Sequence, residues 1–469
     1  MILFIKCLKV NQYKKNYEYL YGILCFEITQ RIYMKKWLLA FLFALPTLVL
    51  ADNTPALDTG DTAWMMMSTA LVLLMTPAGL ALFYGGMTRS KNVLNTYAMV
   101  FGAFVVAFIV WIIAGYSIAF GTAESVAVQN VMGGFGNVLL NGISWKDLSG
   151  TYPTYVFVAF QGTFAAITVA IASGSVIERI KFSTWIVFVA IWGLIVYAPI
   201  AHMVWGGDGA LLFDAGALDF AGGTVVHMNG GLAGLVLAIL VGKRTGYPKT
   251  AMKPANVMLT ALGAAILWFG WYGFNAGSAF GANAIAGVAL LTTTIATAAA
   301  AITWMLAEWV VYKKPTLLGI ATGAVSGLVA ITPAAGFVSV SGAFIVGIIG
   351  TLFAFWGVTV LKKRLGYDDS LDAFGVHFLA GLFGALATGL LAVKDADLLW
   401  DGPLKESGDR IGQFMVQVES VVIVGLFTLV GTIAVYYIAT ALTGGSRVDE
   451  DQESMGLDES VHGEKYSNS

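Results

Sequence analysis

Val226-His227-Met228-Asn229-Gly230-Gly231-Leu232-Ala233-Gly234 and Val376-His377-Phe378-Leu379-Ala380-Gly381-Leu382-Phe383-Gly384 are two copies of one phrase: Val-His, three residues, Gly-Leu, one residue, Gly. Each copy lies inside a long apolar stretch. The recurrence points to an internal repeat with one titratable ring per half. An ionisable group within a membrane span is costly to place there, so by default it marks a functional site rather than packing.

The membrane reading rests on composition. The chain has 469 residues, 58% of them hydrophobic and only 12% charged, with mean hydropathy +0.78. A soluble protein carries about 25% charged residues. The net charge of -2 says little about partners. A bilayer-spanning helix takes about 20 apolar residues, and stretches of that kind fall near 62–87, 93–121, 153–177, 182–206, 220–242, 255–280, 285–311, 316–335, 339–361, 372–393 and 412–442. The fold class is therefore an all-α integral membrane protein of eleven transmembrane helices.

Residues 34–51 have the marks of a secretory signal: Met34-Lys35-Lys36, an apolar core from Trp37 to Leu50, and the small-residue ending Val49-Leu50-Ala51. The mature chain is expected to begin near Asp52. Residues 1–33 lack any such pattern and read as a doubtful extension upstream of a true start at Met34, the alternative being a cytoplasmic tail. Both cysteines, Cys7 and Cys25, fall in that extension, so cysteine usage carries no redox information.

Lys and Arg in the connections set orientation. The loops after the odd-numbered spans, one to nine, hold Arg89, Lys91, Arg179, Lys181, Lys243, Arg244, Lys249, Lys253, Lys313, Lys314, Lys362, Lys363 and Arg364; the opposite loops hold only Lys146, Lys394, Lys405 and Arg410. That imbalance puts the mature N-terminus outside and the tail, residues 444–469, in the cytoplasm. Spans one to five (about 62–242) and six to ten (about 255–393) are each odd in number. The two five-helix repeats are therefore inverted relative to one another, with the helix near 412–442 added last.

His227 then sits on an inward-running span and His377 on an outward-running one. Asp219 lies eight residues before the first ring and Asp372 five before the second. At 1.5 Å per residue both rings lie roughly 8 to 12 Å in from their own faces. Inverted repeats that meet near the midplane are a transporter architecture. A weaker echo, Phe83-Tyr84-Gly85 against Trp271-Tyr272-Gly273, supports the repeat. The many glycines read as helix packing.

Several phrases together resemble the signature of the ammonium transporter family, which includes the Amt proteins, methylammonium permeases and Rh proteins. They are Asp219-Phe220-Ala221-Gly222-Gly223 with Val226-His227 and Gly242-Lys243-Arg244, Phe83-Tyr84-Gly85-Gly86, Phe160-Gln161-Gly162-Thr163-Phe164, Ala201-His202-Met203-Val204-Trp205-Gly206-Gly207, Gly273-Phe274-Asn275-Ala276-Gly277-Ser278 and Phe374-Gly375-Val376-His377. Their order and spacing are similar to those of the bacterial members.

The resemblance implies an outer vestibule that collects ammonium on Phe160, Phe164, Trp205 and Ser278. A cation over an aromatic ring gains roughly 0.5 to 2 kcal/mol. Below it the family pattern implies a plug of two phenyl rings, here Phe164 and Phe274, with Trp271, Leu267 and Tyr84 lining or flanking the conduit. His227 and His377 would then offer neutral imidazole nitrogens to ammonia and a route for its separated proton. The resemblance also implies a homotrimer in the cell (inner) membrane whose cytoplasmic face meets a PII-type signal protein, and ammonium or methylammonium as cargo.

Other readings remain beside these. Asp219 fits an N-cap of the fifth span. A metal site would need three or four ligands, and nothing completes a set around the two histidines. His202 and His462 read as structural, and the acidic run Asp449-Glu450-Asp451 as solvated tail. A membrane ammonium sensor or transceptor that regulates nitrogen metabolism is the alternative function; it would tend to break the conduit and add an output domain. No nucleophile-base set, phosphate loop, dinucleotide fingerprint or nucleic-acid patch supports an enzyme, a cofactor or a nucleic-acid partner.

Overall fold

In the computed structural model residues 56–394 and 401–466 are described, as are helical positions scattered between 19 and 36, which belong to a separate unit spanning residues 1–56. The proposed signal segment falls almost wholly outside the described residues, as do both cysteines.

The main unit is built from apolar helices: α1 Thr59–Met87, α2 Ser90–Phe120, α3 Thr154–Ser173, α4 Phe182–Trp205, α5 Gly223–Val241, α6 Val257–Ala279, α7 Ala284–Tyr312, α8 Leu317–Ile331, α9 Val340–Leu365, α10 Phe374–Leu391 and α11 Arg410–Thr443. Ten are long and apolar enough to cross a membrane, and α8, at 15 residues, is the short one. Its predicted span of 316–335 is helix as far as Ile331 and then enters a run of turns from Thr332 to Phe337. The chain is a multi-pass helical membrane protein.

Polar residues between the apolar runs start the helices. Asp58, Asn256, Asn283, Thr316, Ser339 and Asp409 each accept a backbone N–H from the first turn of α1, α6, α7, α8, α9 and α11. Such caps satisfy donors that helix geometry leaves unpaired. A small antiparallel hairpin, Leu148–Ser149 with Tyr152–Pro153, precedes α3.

The middle of the bundle belongs to α3 and α5, whose apolar windows are 83% and 78% enclosed, against 28% for α11. The two halves share local irregularities. Six-residue π-helical turns open both α5 (Gly223–Met228) and α10 (Phe374–Leu379), and five-residue ones interrupt α4 (Gly193–Tyr197) and α9 (Gly357–Leu361). Turns of this kind widen a helix locally and often accompany functional sites.

Call the side from which the C-terminal segment leaves α11 the tail face and the other the far face. At the tail face several loop charges are buried, not free in solvent. Arg244 bonds Glu178 at 2.9 Å and Asp368 at 2.8 Å, the Arg89 guanidinium shares the same Glu178 oxygen, Oε2, at 2.8 Å, and Arg179 donates to the carbonyls of Gly242 and Asp368 at 2.7 Å. Burial acts to raise the Glu178 and Asp368 carboxyls, but the guanidinium of Arg244 prevails and holds both below their ordinary range.

The acidic run Asp449-Glu450-Asp451 is exposed, as its reading as solvated expects, but the tail around it is packed. Its helices α12 (Glu450–Met455) and α13 (Leu457–His462) lie on this network. Glu453 is 1% exposed, pairs with Arg447 at 2.7 Å and accepts the Thr245 amide at 2.6 Å. Asp458 accepts the Asn95 amide at 2.7 Å, at the start of α2.

Candidate functional site

The two phrases meet. His227 Nδ1 lies 3.3 Å from His377 Nδ1, with the ring centroids 5.4 Å apart and both side chains buried. The glycines of the phrase make this possible. A Cβ on Gly231 would stand 2.6 Å from the Phe378 backbone nitrogen, and one on Gly381 would stand 3.1 Å from the Gly223 carbonyl oxygen and from His227 Cβ. Bare backbone at those crossings lets α5 and α10 approach closely enough for the rings to touch.

Only one proton can occupy the bond between the two Nδ1 atoms, since a neutral imidazole carries a single N–H. When His377 donates, the proton of His227 sits on Nε2. That atom is buried without a protein partner. It lies among rings, with Trp271 stacked at 5.3 Å and Phe274 at 5.8 Å. Trp271 is fixed by its Nε1 donating to Thr332 Oγ1 at 2.9 Å, in the irregular run after α8.

A column of rings continues toward the far face. Phe274 stacks on Phe164 at 4.1 Å and 23°, and Phe164 meets Trp205 edge-on at 6.3 Å. Beyond them opens a cavity of about 230 Å³, lined by Phe164, Trp205 and Ser278 from the predicted vestibule. Phe160 is the exception. It is fully buried and packs on Phe164 at 4.8 Å and Phe280 at 6.3 Å, so it backs the wall instead of lining it. The resemblance puts Phe160 in the vestibule, but Phe280, turned into left-handed backbone at φ 55°, occupies the lining position.

Sequence reasoning missed other liners of this cavity. Phe120, Phe157, Phe213, Phe220 and Phe280 complete an aromatic cage, and Gln161 joins them with a buried Oε1 that has no partner. Gln161 sits between the two quoted phenylalanines; an amide on a helix face otherwise made of rings was the available signal.

Asp219 lies behind the cage. One of its oxygens accepts from the Gly222 and Gly223 amides at 2.9 and 2.6 Å, the other from those of Thr224 and Val225 at 2.8 and 3.2 Å. Its carbonyl accepts Trp205 Nε1 at 2.8 Å, which fixes the indole. On α10 the matching carboxylate is Asp369, not Asp372. Asp369 accepts the Ala373 and Phe374 amides at 3.2 and 2.8 Å, whereas Asp372 pairs with Lys362 at 2.6 Å. Asp369 precedes His377 by eight residues (377 − 369), the same spacing as Asp219 to His227 (227 − 219). Five residues before each ring the backbone is left-handed, at Gly222 (φ 108°) and Asp372 (φ 61°).

On the tail side of the histidines a second cavity, about 210 Å³, is lined by His377, Tyr84, Glu308, Asp372 and several rings. Leu267 is buried beside Gly79 and lines neither cavity. His202 is elsewhere, its ring nitrogens bound to the carbonyls of Ala119 and Gln129 at 2.9 and 2.6 Å. Among the described residues no group of three or more His, Cys, Asp or Glu could hold a metal ion.

Two cavities on opposite faces, joined through a closed apolar neck in a multi-pass helical bundle, define a membrane protein of the transporter and channel class. The comparisons narrow it. The profile of the Ammonium Transporter Family matches residues 63–466. An ammonium transporter of Aquifex aeolicus is 47% identical over 420 residues, covering 88% of this chain and 94% of that protein. The crystal structure of Candida albicans Mep2 superposes with TM-score 0.76 at 32% identity, covering 84% of this chain and 87% of that one. A sensor Amt protein superposes with TM-score 0.77 at 27% identity, over 85% and 97% of the two chains. The chain belongs to the ammonium transporter family.

Proposed function

We propose that the protein is an ammonium transporter rather than an enzyme. Its far-face cavity recruits the ion; the ion gives up its proton; and ammonia passes the phenyl plug and the paired histidines, with the proton relayed separately. One observation carries this reading: the unbroken column Phe164, Phe274, His227, His377 that joins one cavity to the other.

Each part has a physical task. Trp205 and Phe164 present ring faces to a cation, and Ser278 and the unpaired Gln161 Oε1 offer oxygen to its N–H groups. Potassium has the same charge and a similar size, but it cannot shed its charge. The stacked Phe164 and Phe274 demand a desolvation that a ring contact does not return. Neutral ammonia enters, and finds at His227 Nε2 and along the Nδ1 to Nδ1 contact groups able to donate, accept and hand a proton on. Asp219 acts indirectly, holding the start of α5 and, through its carbonyl, the Trp205 indole.

The charge imbalance of the loops supports a cytoplasmic tail face and an outside far face, and the paired π-helical turns and left-handed positions support two inverted repeats. From the family we infer a homotrimer in the cell membrane, with a PII-type signal protein at the tail face, and a cleaved signal before Asp52. The likeness to a sensor Amt protein keeps a sensing role as the second reading. The deciding test is methylammonium uptake and current in proteoliposomes holding the intact protein, with potassium as competitor. Potassium-excluding current lost in His227→Ala and His377→Ala supports conduction through the pair. Saturable methylammonium binding without current in the intact protein would establish the sensor instead.

A further inference from the structure

The tail-side cavity differs from its far-side counterpart in holding carboxylates. Asp372 is neutralised by Lys362 at 2.6 Å. Glu308, on the last turn of α7, is not. Its oxygens accept the Thr316 amide at 2.7 Å, the Thr316 hydroxyl at 3.0 and 3.1 Å, and Trp304 Nε1 at 3.3 Å, all neutral donors. Among the described residues no Lys or Arg stands within ion-pair distance of it. The residue is only 8% exposed and lines the cavity. The N-terminus of α8 makes the buried charge tolerable, yet nothing there cancels it. Gly319 faces the carboxylate at a point where any side chain would collide with it.

Aromatic rings stand beside this charge. Trp304 meets Phe355 edge-on at 5.2 Å, and Tyr312 lies 6.4 Å from Phe355; all three line the cavity with His377. We propose that this cavity is a second binding site for a small ammonium-type cation, in which Glu308 supplies the charge and Trp304, Tyr312 and Phe355 supply ring faces. Charge-assisted N–H donation to a carboxylate together with ring faces suits a cation that carries its own donors. The site holds the ion where the pathway opens to the tail face, next to the histidine that returns its proton. It rests on the conduction reading above.

The test uses full-length protein in proteoliposomes sorted by orientation, with methylammonium applied separately to each face. In the intact protein the current saturates from the tail side. Glu308→Gln keeps the size and an acceptor oxygen but removes the charge; it is expected to raise the half-saturating concentration from the tail side about tenfold or more. From the far side the half-saturating concentration stays as in the intact protein. A purely structural role would instead lower folded yield and change both sides together. If Glu308→Gln does not fold, Tyr312→Leu, at a half-exposed position, is expected to give a smaller shift of the same sidedness. Tail-side current in the intact protein that never saturates, or a variant shift equal on both sides or absent, overturns the site while leaving conduction standing. No methylammonium current in the intact protein overturns both.

Discussion

The histidine column and the tail face handle charge in opposite ways. At the tail face Glu178, Asp368 and Arg244 are buried as ion pairs, with the partly exposed Arg89 closing on Glu178 and Arg179 bonding the loop carbonyls beside them. In the column the titratable groups are two imidazoles that bond each other, with one nitrogen left open. The difference is one of purpose in the same apolar bundle. Ion pairs are stable where nothing has to move, whereas a path for a neutral molecule and a proton needs groups that can change partners.

The largest effect is expected at the tail face. Removing one partner of a buried ion pair leaves the other charge uncompensated and costs about 3 to 5 kcal/mol, so Arg244→Ala should lower thermal stability by that order. Both facing carboxyls have their pKa values depressed in the folded state. Their contribution is therefore present above the unfolded carboxyl pKa of about 4 and lost as pH falls through the folded values below it. Thermal melts of the intact protein between neutral and acid pH should show that loss, and Arg244→Ala should flatten it. A variant with the intact protein's acid profile would mean the network does not govern the tail face.

Next come the rings of the column. Positioned proton transfer is worth about 10²-fold or more in rate, so His227→Ala and His377→Ala are each expected to reduce methylammonium current by that order while melting near the intact protein. Equal losses of current and stability would make the pair a packing element like the tail-face arginines, and would erase the contrast drawn above.

The contact between the rings depends on the helix crossing, and the two glycines should differ. Gly231→Ala meets the Phe378 backbone at 2.6 Å, which cannot yield cheaply, whereas Gly381→Ala meets its neighbours at 3.1 Å. Overpacking of this kind costs about 1 to 3 kcal/mol, with Gly231→Ala at the upper end. Melting temperature and current measured on both variants should fall in that order.

Much of this was legible in the sequence. Length and apolar runs gave the helices, and the recurrence of one phrase gave the pair of rings. The misses share a cause: linear patterns report faces and spacing, not where the backbone turns. The sequence reading names Asp372 as the second acid and passes over Asp369, because the left-handed turn at Asp372 cannot be seen in a row of letters. The family resemblance puts Phe160 in the vestibule, whereas Phe280 fills that wall from a distant segment that no local spacing connects to it. The loop arginines entered the reading only as markers of orientation, because their partners, Glu178 and Asp368, lie in other loops.

The smallest expected effect, and the one that most sharpens the contrast, is at Trp205. Its indole lines the far-face cavity and is held by a single bond to the Asp219 carbonyl. Trp205→Leu preserves an apolar wall and removes the ring face. Cation–π attraction of roughly 0.5 to 2 kcal/mol corresponds to about 2- to 30-fold in affinity. The half-saturating methylammonium concentration from the far face should rise within that range, with the maximal current and the melting temperature close to those of the intact protein. Rings recruit by adding a weak, reversible attraction, so losing one should change how much ion is collected and not how fast the column conducts. A fall in maximal current with unchanged half-saturation would place Trp205 in the plug and move recruitment to the remaining rings of the cage.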